Sequence, residues 1–581
     1  MPPTRMHTEL KMHAMQGDVD DIVLQVKSLK TYYRPGRQNE LRAVDDVSFA
    51  LRRGSTLCIV GESGSGKSVT ARSILQLVQP PGRIVSGGVL YRGGAGEPSV
   101  DLAKLPPRGR AIRAIRGRGI AMVFQEPMTS LSPIHRVGRQ IAEAMTAHGM
   151  ASRREAERRA VDLLRQVEIP SPEIAATRYP FEFSGGMRQR AMIAMALACD
   201  PKVLIADEPT TALDVTTQAE ILRLIGRLQA SNGLAVLFIT HDMGVVAQIA
   251  DDVAVMYRGK LVEQEPVRRI FSSPQHPYTQ KLLEASKKLG MAAPSAAPAT
   301  PSSRVLLQVR DLNLTYPARP TLFRRADPSK PALKAVSFDM FEGENLGIVG
   351  ESGSGKTTLG NCIIRVLQPS SGSIRYTMRD GHDLELATLD RPGLRPVHRE
   401  LRMVFQDPFA SLNPRMTVEQ AVAEPLLVNH ILAGDALREK VRDLLGTVGL
   451  PADAGRRYPH AFSGGQRQRI VIARALALDP RLIIADEATS ALDVTLRGQI
   501  LDLLLDLQPR LGLSFLLISH DLGVIRYFCN RVAVMYRGEV VEIGDAEQIC
   551  DRPRQAYTQA LLAAVPNADV SSHNIQLDAL S

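Results

Sequence analysis

At 581 residues the chain has length for two large domains, each able to bury a core without disulfides or metals, and its 44% hydrophobic and 23% charged residues are those of an ordinary globular protein. The net charge of +10 is largely arginine, with Arg108, Arg110, Arg113, Arg116 and Arg118 in one segment; this reads as a solvated basic face or a contact with an anionic membrane, and without interleaved aromatics it argues against nucleic acid. No stretch approaches the roughly 20 apolar residues of a membrane span, and the five scattered cysteines, with no C-x-x-C pair, argue against a metal or iron-sulfur site and for reduced, mostly buried thiols.

Residues 1–21 lack the apolar core of a signal peptide and are expected to be disordered, which keeps the chain in the cytosol. From Ile22 the pattern alternates, turns through Pro35-Gly36 and resumes from Ala43 to Leu51, predicting antiparallel strands. The apolar run Leu57 to Val60 then leads into Gly61–Ser68, GESGSGKS, followed by a helix-like segment. Strand, glycine-rich loop and helix in that order make a phosphate-binding loop: successive N–H groups converge on one anion at a helix N-terminus. Lys67 would reach the β- and γ-phosphates, and the Ser68 hydroxyl would hold Mg²⁺.

Met122-Val123-Phe124-Gln125 reads as a strand ending in an amide placed to meet metal or water. Ile134 to about Ile174 is polar and helix-patterned, an expected helical insert. Val203 to Ala206 is a buried strand that delivers Asp207-Glu208 to the carboxyl edge of a parallel sheet, where ligands bind in such folds, and His241 follows the strand Val236 to Ile239 to the same edge.

All of this recurs. GESGSGKT stands at Gly350–Thr357, Met403-Val404-Phe405-Gln406 repeats the amide, and Tyr179 to Thr216 aligns without a gap to Tyr458 to Thr495 at an offset that holds through His241 and His520. The chain is an internal duplication. Met291 to Ser303, rich in Ala, Pro and Ser, reads as the linker.

With these motifs in place, each half resembles the nucleotide-binding domain of an ATP-binding cassette (ABC) protein, from about Ile22 to about Val565. The distinguishing stretch is the signature, Phe183 to Met187 and Phe462 to Gln466. The resemblance implies an α/β fold of two tandem ABC-type P-loop NTPase domains, each with an antiparallel β subdomain and an inserted helical subdomain. The expected divisions are a first domain at 22–270, its C-terminal tag at 271–290, the linker at 291–303, a second domain at 304–550, and a tag and tail at 551–581.

It also implies ATP and Mg²⁺ as cofactors. Nucleotide contacts fall on Tyr33, Gly61, Ser63, Gly64, Gly66, Lys67, Ser68, Val69 and Gln125, and on Tyr316, Gly350, Ser352, Gly353, Gly355, Lys356, Thr357, Thr358 and Gln406, the tyrosines stacking on adenine. Metal support falls on Ser68, Gln125 and Asp207, and on Thr357, Gln406 and Asp486. Glu208 and Glu487 would polarise the attacking water, with His241 and His520 holding the γ-phosphate and the glutamate. The signature residues Ser184, Gly185 and Gly186, and Ser463, Gly464, Gly465 and Gln466, read as capped helix starts. In the family they serve the phosphate bound by the opposite domain, so the halves are expected to close head to tail over two ATPs, with Asp214 and Asp493 along the seam. Met187 stands where the family commonly has Gln, yet the composite site that uses it is expected to turn over.

Within the family the chain looks most like ATPase subunits of peptide, nickel and glutathione importers, by Pro274-x-His276-Pro277-Tyr278-Thr279 with Leu282-Leu283; the second half keeps Pro553 and Tyr557-Thr558 with Leu561-Leu562 but not the His-Pro pair. That resemblance implies two multi-span permeases and a secreted binding protein as partners, no nucleic acid, and a peripheral place at the cytoplasmic face of a bacterial inner membrane. No residue fixes transport direction, so an exporter ATPase is the nearest alternative. Soluble ABC ATPases of translation or DNA repair stand further off, for want of a charged helical linker or zinc-binding cysteine pairs.

Overall fold

A computed structural model describes residues 21–34, 40–94, 96–125, 130–211, 213–290, 302–316, 331–490 and 492–565. The expectations for the first 20 residues, the turn at Pro35-Gly36, the stretch 126–129 behind Gln125, most of the linker and the tail beyond 565 lie outside them. The chain forms two compact units, one of residues up to 286 apart from 214–216, the other of 214–216 and 287–565.

The strands of the first unit are β1 (Ile22–Tyr33), β2 (Leu41–Arg52), β3 (Thr56–Val60), β4 (Gly82–Tyr91), β5 (Val100–Asp101), β6 (Ile120–Val123), β7 (Val203–Asp207), β8 (Ala235–Thr240), β9 (Asp252–Tyr257) and β10 (Lys260–Pro266). An antiparallel sheet takes the order β2-β1-β4-β5. Its inward residues, Leu24, Val26 and Leu29 on β1 and Val44, Val47 and Phe49 on β2, are fully buried. Val26 and Leu29 are three apart rather than two and still face the same way, because the register shifts between them at Ser28, whose φ is +43°.

The second sheet runs β10-β9-β3-β8-β7-β6 and is parallel except for β10. Its central strands, TLCIV, VLIAD and AVLFIT, are buried along their whole length, as continuous apolar runs covered on both faces must be. One face packs on the antiparallel sheet, with Ala71 and Ile74 of the helix Lys67–Ile74. The other packs on helices, including the insert of Val137–Ala147, Arg153–Gln166 and Pro172–Thr177 and the helix Gly185–Leu197. Ser152 caps the charged helix of the insert by accepting from the Glu155 N–H.

Arg116 departs from a solvated basic face. Its guanidinium donates to the carbonyls of Leu75 (2.9 Å) and Gln76 (3.0 Å), closing the carboxyl end of the phosphate-loop helix.

The second unit repeats the plan with β11 (Val305–Thr315), β12 (Pro331–Phe341), β13 (Asn345–Val349), β14 (Ser371–Thr377), β15 (Asp383–Glu385), β16 (Leu401–Val404), β17 (Leu482–Asp486), β18 (Ser514–Ile518), β19 (Arg531–Tyr536) and β20 (Glu539–Asp545). The sheet orders are β12-β11-β14-β15 and β16-β17-β18-β13-β19-β20. Its helical insert is Val418–Val428 and Gly434–Thr447. No helix among the described residues is long and apolar enough to cross a membrane. Cys58, Cys199, Cys362 and Cys529 are buried and Cys550 half-buried.

Candidate nucleotide site in each unit

In the first unit β3 lies between β8 and β9 and next but one to β7, so parallel pairing brings the ends of β3, β7 and β8 to one edge. From that edge come the loop Gly61–Ser68, the pair Asp207-Glu208 and His241. The loop turns into its helix at Gly66, whose φ of +103° a side chain rarely adopts. Lys67 is buried beneath the loop, donating to the carbonyls of Gly61 (2.6 Å) and Glu62 (3.0 Å).

The Ser68 hydroxyl donates to Asp207 Oδ1 at 2.8 Å, while Asp207 Oδ2 is buried without a hydrogen-bond partner among the described residues. Glu208 is gripped on both oxygens: Oε2 accepts from Gln125 Nε2 (2.8 Å) and the Thr211 hydroxyl (3.1 Å), and Oε1 lies 3.4 Å from His241 Nδ1. Its backbone sits at φ +48°, held by its N–H donating to the Ile239 carbonyl of β8 at 3.0 Å. A glutamate there is strained, which motif spacing does not reveal.

The second unit repeats these contacts. Lys356 donates to Gly350 and Glu351 (2.8 Å each), Thr357 to Asp486 (3.1 Å) and Gln406 to Glu487 (2.6 Å); His520 Nδ1 lies 3.1 Å from Glu487, whose φ is +46°. Thr211 has no equivalent: the Ser490 hydroxyl turns back to the Glu487 carbonyl.

Burial pushes the Asp207 carboxyl up and Asp486 to about 6, the hydroxyl hydrogen bonds opposing it and the neighbouring glutamates adding to it. The adjacent glutamates go the other way. Burial opposes ionisation of Glu208, but the hydrogen bond and charge of His241, with Lys67 and Thr211, outweigh it and hold the group at about 2; Glu487 is lowered likewise by His520 and Lys356. Two adjacent carboxyls pushed apart in acidity suit different tasks. Hydroxyl plus carboxylate, with Asp207 Oδ2 buried and unpaired among the described residues, is a donor set that fits a hard oxygen-seeking cation such as Mg²⁺, and Thr357 with Asp486 offers the same pair of groups.

Ser184 and Ser463 begin the helices Gly185–Leu197 and Gly464–Leu476, their side chains accepting from the N–H of Met187 (3.3 Å) and Gln466 (3.4 Å). Gln466 Oε1 also accepts from the Ser463 N–H at 3.1 Å, completing a capping box that Met187 lacks. Asp493 caps the helix Val494–Leu511. Tyr33 ends β1 opposite Gly82, and the exposed Tyr316 places its hydroxyl 3.4 Å from Thr358 Oγ1, beside the phosphate-loop helix. Two further tyrosines, Tyr278 and Tyr557, touch the loops from the tags: the Glu62 N–H donates to the Tyr278 hydroxyl at 2.9 Å and the Glu351 N–H to Tyr557 at 3.1 Å. The tag motif contains them, but nothing in its spacing points to the loop.

Two cassettes, each with a phosphate loop, an acidic pair, an amide, a histidine and a signature helix, define an ATPase of the ABC type. The chain belongs to the ABC transporter family, whose model matches residues 44–211 and 333–490, and carries twice the region described as "Oligopeptide/dipeptide transporter, C-terminal region", at 262–305 and 541–580. It is similar to the "Glutathione import ATP-binding protein GsiA" of Salmonella choleraesuis (strain SC-B67), with 48% identity covering 97% of this chain and 92% of that one. The proteins of the same name from Escherichia coli (strain K12) and Shigella sonnei (strain Ss046) are each 47% identical over 96% of this chain and 92% of theirs.

Proposed function

We propose that the chain energises uptake of glutathione or a related short peptide through a membrane permease, hydrolysing ATP at two composite sites. The observation that carries this reading is near full-length similarity to glutathione import ATP-binding proteins, tags included. The partners are two multi-span permeases and, through them, a secreted binding protein that selects the solute. The chain then sits peripherally at the cytoplasmic face of the inner membrane.

On closure over ATP each phosphate loop pairs in this reading with the other half's signature: Lys67, Gln125, Glu208 and His241 work with Ser463 to Gln466, and Lys356, Gln406, Glu487 and His520 with Ser184 to Met187. Lys67 and Lys356 leave their loop carbonyls for the phosphates, where N–H groups of the loop and signature helix receive the remaining charge. Glu208 and Glu487 each keep an unused lone pair on a gripped carboxylate; there a water is oriented and its proton accepted as its oxygen attacks the γ-phosphorus, while the bond to the β,γ-bridging oxygen breaks and ADP leaves with that oxygen. His241 and His520 hold the carboxylates in place. Ser68 and Asp207, and Thr357 and Asp486, with Gln125 and Gln406 nearby, would hold Mg²⁺, which neutralises phosphate charge when bound.

The test is uptake of labelled glutathione by cells lacking the chain's gene, with affinity purification of the chain from detergent-solubilised membranes. Uptake restored by the wild type but not by Lys67→Ala with Lys356→Ala, together with recovery of two permeases, is the expected result. Recovery of ribosomes or DNA without a permease would overturn the transport reading.

A further inference from the structure

The phosphate loops are held from behind as well as from the ligand side. In the first unit Gly61 opens the loop at φ +152°, so close to β9 that a Cβ on it would lie 2.2 Å from the Met256 carbonyl oxygen. The next residue of β9, Tyr257, stacks on Tyr278 of the tag with ring centroids 4.3 Å apart. The Tyr278 hydroxyl accepts from the Glu62 N–H, and the carbonyl of the same residue accepts from Lys67. One residue thus has its N–H held by the tag and its carbonyl held by the lysine that must meet the phosphates.

The tag is anchored independently. Glu263 of β10, 6% exposed, accepts from the N–H groups of Gln275 (2.7 Å) and His276 (3.0 Å), fixing the start of the helix Pro277–Gly290 that carries Tyr278. The second unit shows the same parts: Gly350 so close to the Met535 carbonyl that a Cβ on it would lie 2.1 Å away, Tyr536 tilted against Tyr557 with ring centroids 4.2 Å apart, the Glu351 N–H on the Tyr557 hydroxyl, and Glu542 accepting from the N–H groups of Arg554 (2.8 Å) and Gln555 (3.1 Å). It does so although Gln555-Ala556 replace His276-Pro277. What recurs through that sequence change is the path from buried glutamate to tyrosine hydroxyl to loop. Burial pushes the Tyr557 phenol up to about 12, so the hydroxyl keeps its proton at neutral pH.

We propose that Tyr278 and Tyr557 are positioning residues for ATP binding: their hydroxyls fix the peptide groups at Glu62 and Glu351, and so the loop entrance and the lysine, in the form that receives phosphate. Without the hydroxyl, that N–H loses its partner and the loop samples arrangements in which the lysine is misplaced. A loop competent only part of the time binds nucleotide more weakly in proportion, while chemistry in the bound state is little affected. The inference rests on ATP hydrolysis by the family and not on the transported solute.

The test compares the wild-type full chain with Tyr278→Phe/Tyr557→Phe, which keeps both ring contacts and removes only the hydroxyls. Hydrolysis kinetics are measured with ATP, and equilibrium binding with a fluorescent N-methylanthraniloyl-ATP. We expect KM and Kd to rise about 3- to 10-fold, the weight of one neutral hydrogen bond, with kcat within about twofold and at most a small fall in melting temperature. A Tyr278→Leu/Tyr557→Leu chain, which also loses the ring contacts, should melt lower yet show a KM near that of the Phe chain. Unchanged KM and Kd in the Phe chain beside an active wild type would overturn the proposal, as would a fall in kcat alone or a lower melting temperature without a KM change. A wild type that bound and hydrolysed no ATP would instead count against the ATPase reading.

Discussion

Glu208 and Met187 mark two places where single side chains set the behaviour of a cassette. The Glu208 carboxyl is held at about 2, below its ordinary value of 4.5. A group depressed in the folded state contributes stability that is present above its ordinary value and lost as pH falls through the folded one. Glu208→Gln should therefore lower the melting temperature at pH 7, and the difference from wild type should shrink as pH is taken from 4.5 towards 2; thermal melts across that range check it, and a difference undiminished at pH 2 would place the stabilisation elsewhere. Met187 leaves the first signature helix with half a capping box. Met187→Gln should stabilise the first unit by about 0.5–1 kcal/mol, and Gln466→Met should destabilise the second by as much, both read from denaturant titrations.

At the scale of elements, the tag helices hang on buried acids. Glu263→Ala or Glu542→Ala leaves two N–H groups without their acceptor, and each should cost about 1–3 kcal/mol, with faster hydrogen exchange in the tag helix than in the parallel strands. The buried strands, helical inserts and signature caps were legible because each has a local cause: VLIAD and LIIAD are apolar runs that only a sheet covered on both faces accommodates, and Ser184 and Ser463 precede glycines that open helices. Three features were not legible. The bulge at Ser28 breaks a two-residue period that alone would turn Leu29 outward. Arg116 sits in an arginine cluster whose composition cannot say which member turns inward to cap a helix. The tyrosine contacts join residues 216 apart in the first unit and 206 apart in the second, and such distances in sequence are closed by the fold and not by any motif. The candidate site was legible as a set of residues, while the strained backbone of Glu208 and Glu487 and the third hydrogen bond from Thr211 are set by how the loop after the strand is held in the fold.

For the whole molecule the halves are alike in plan and unlike in detail, which single-site variants can separate. Glu208→Gln should leave appreciable turnover from the site of Lys356 and Glu487, and Glu487→Gln should leave turnover from that of Lys67 and Glu208. The double variant should fall by about 100-fold or more, the ordinary worth of a general base; steady-state hydrolysis by the three chains checks all of this. Equal rates in the two single variants would mean that Thr211 and Met187 leave no mark on catalysis.

Two cassettes translated as one polypeptide have a consequence for how activity responds to molarity. Separate subunits must find each other, so their specific rate falls as they are diluted below their dissociation constant. Partners tethered in one chain meet at an effective concentration fixed by the linker, whatever the bulk amount. Hydrolysis per chain should stay constant over a hundredfold dilution if each chain closes on itself, and should decline if cassettes pair only between chains.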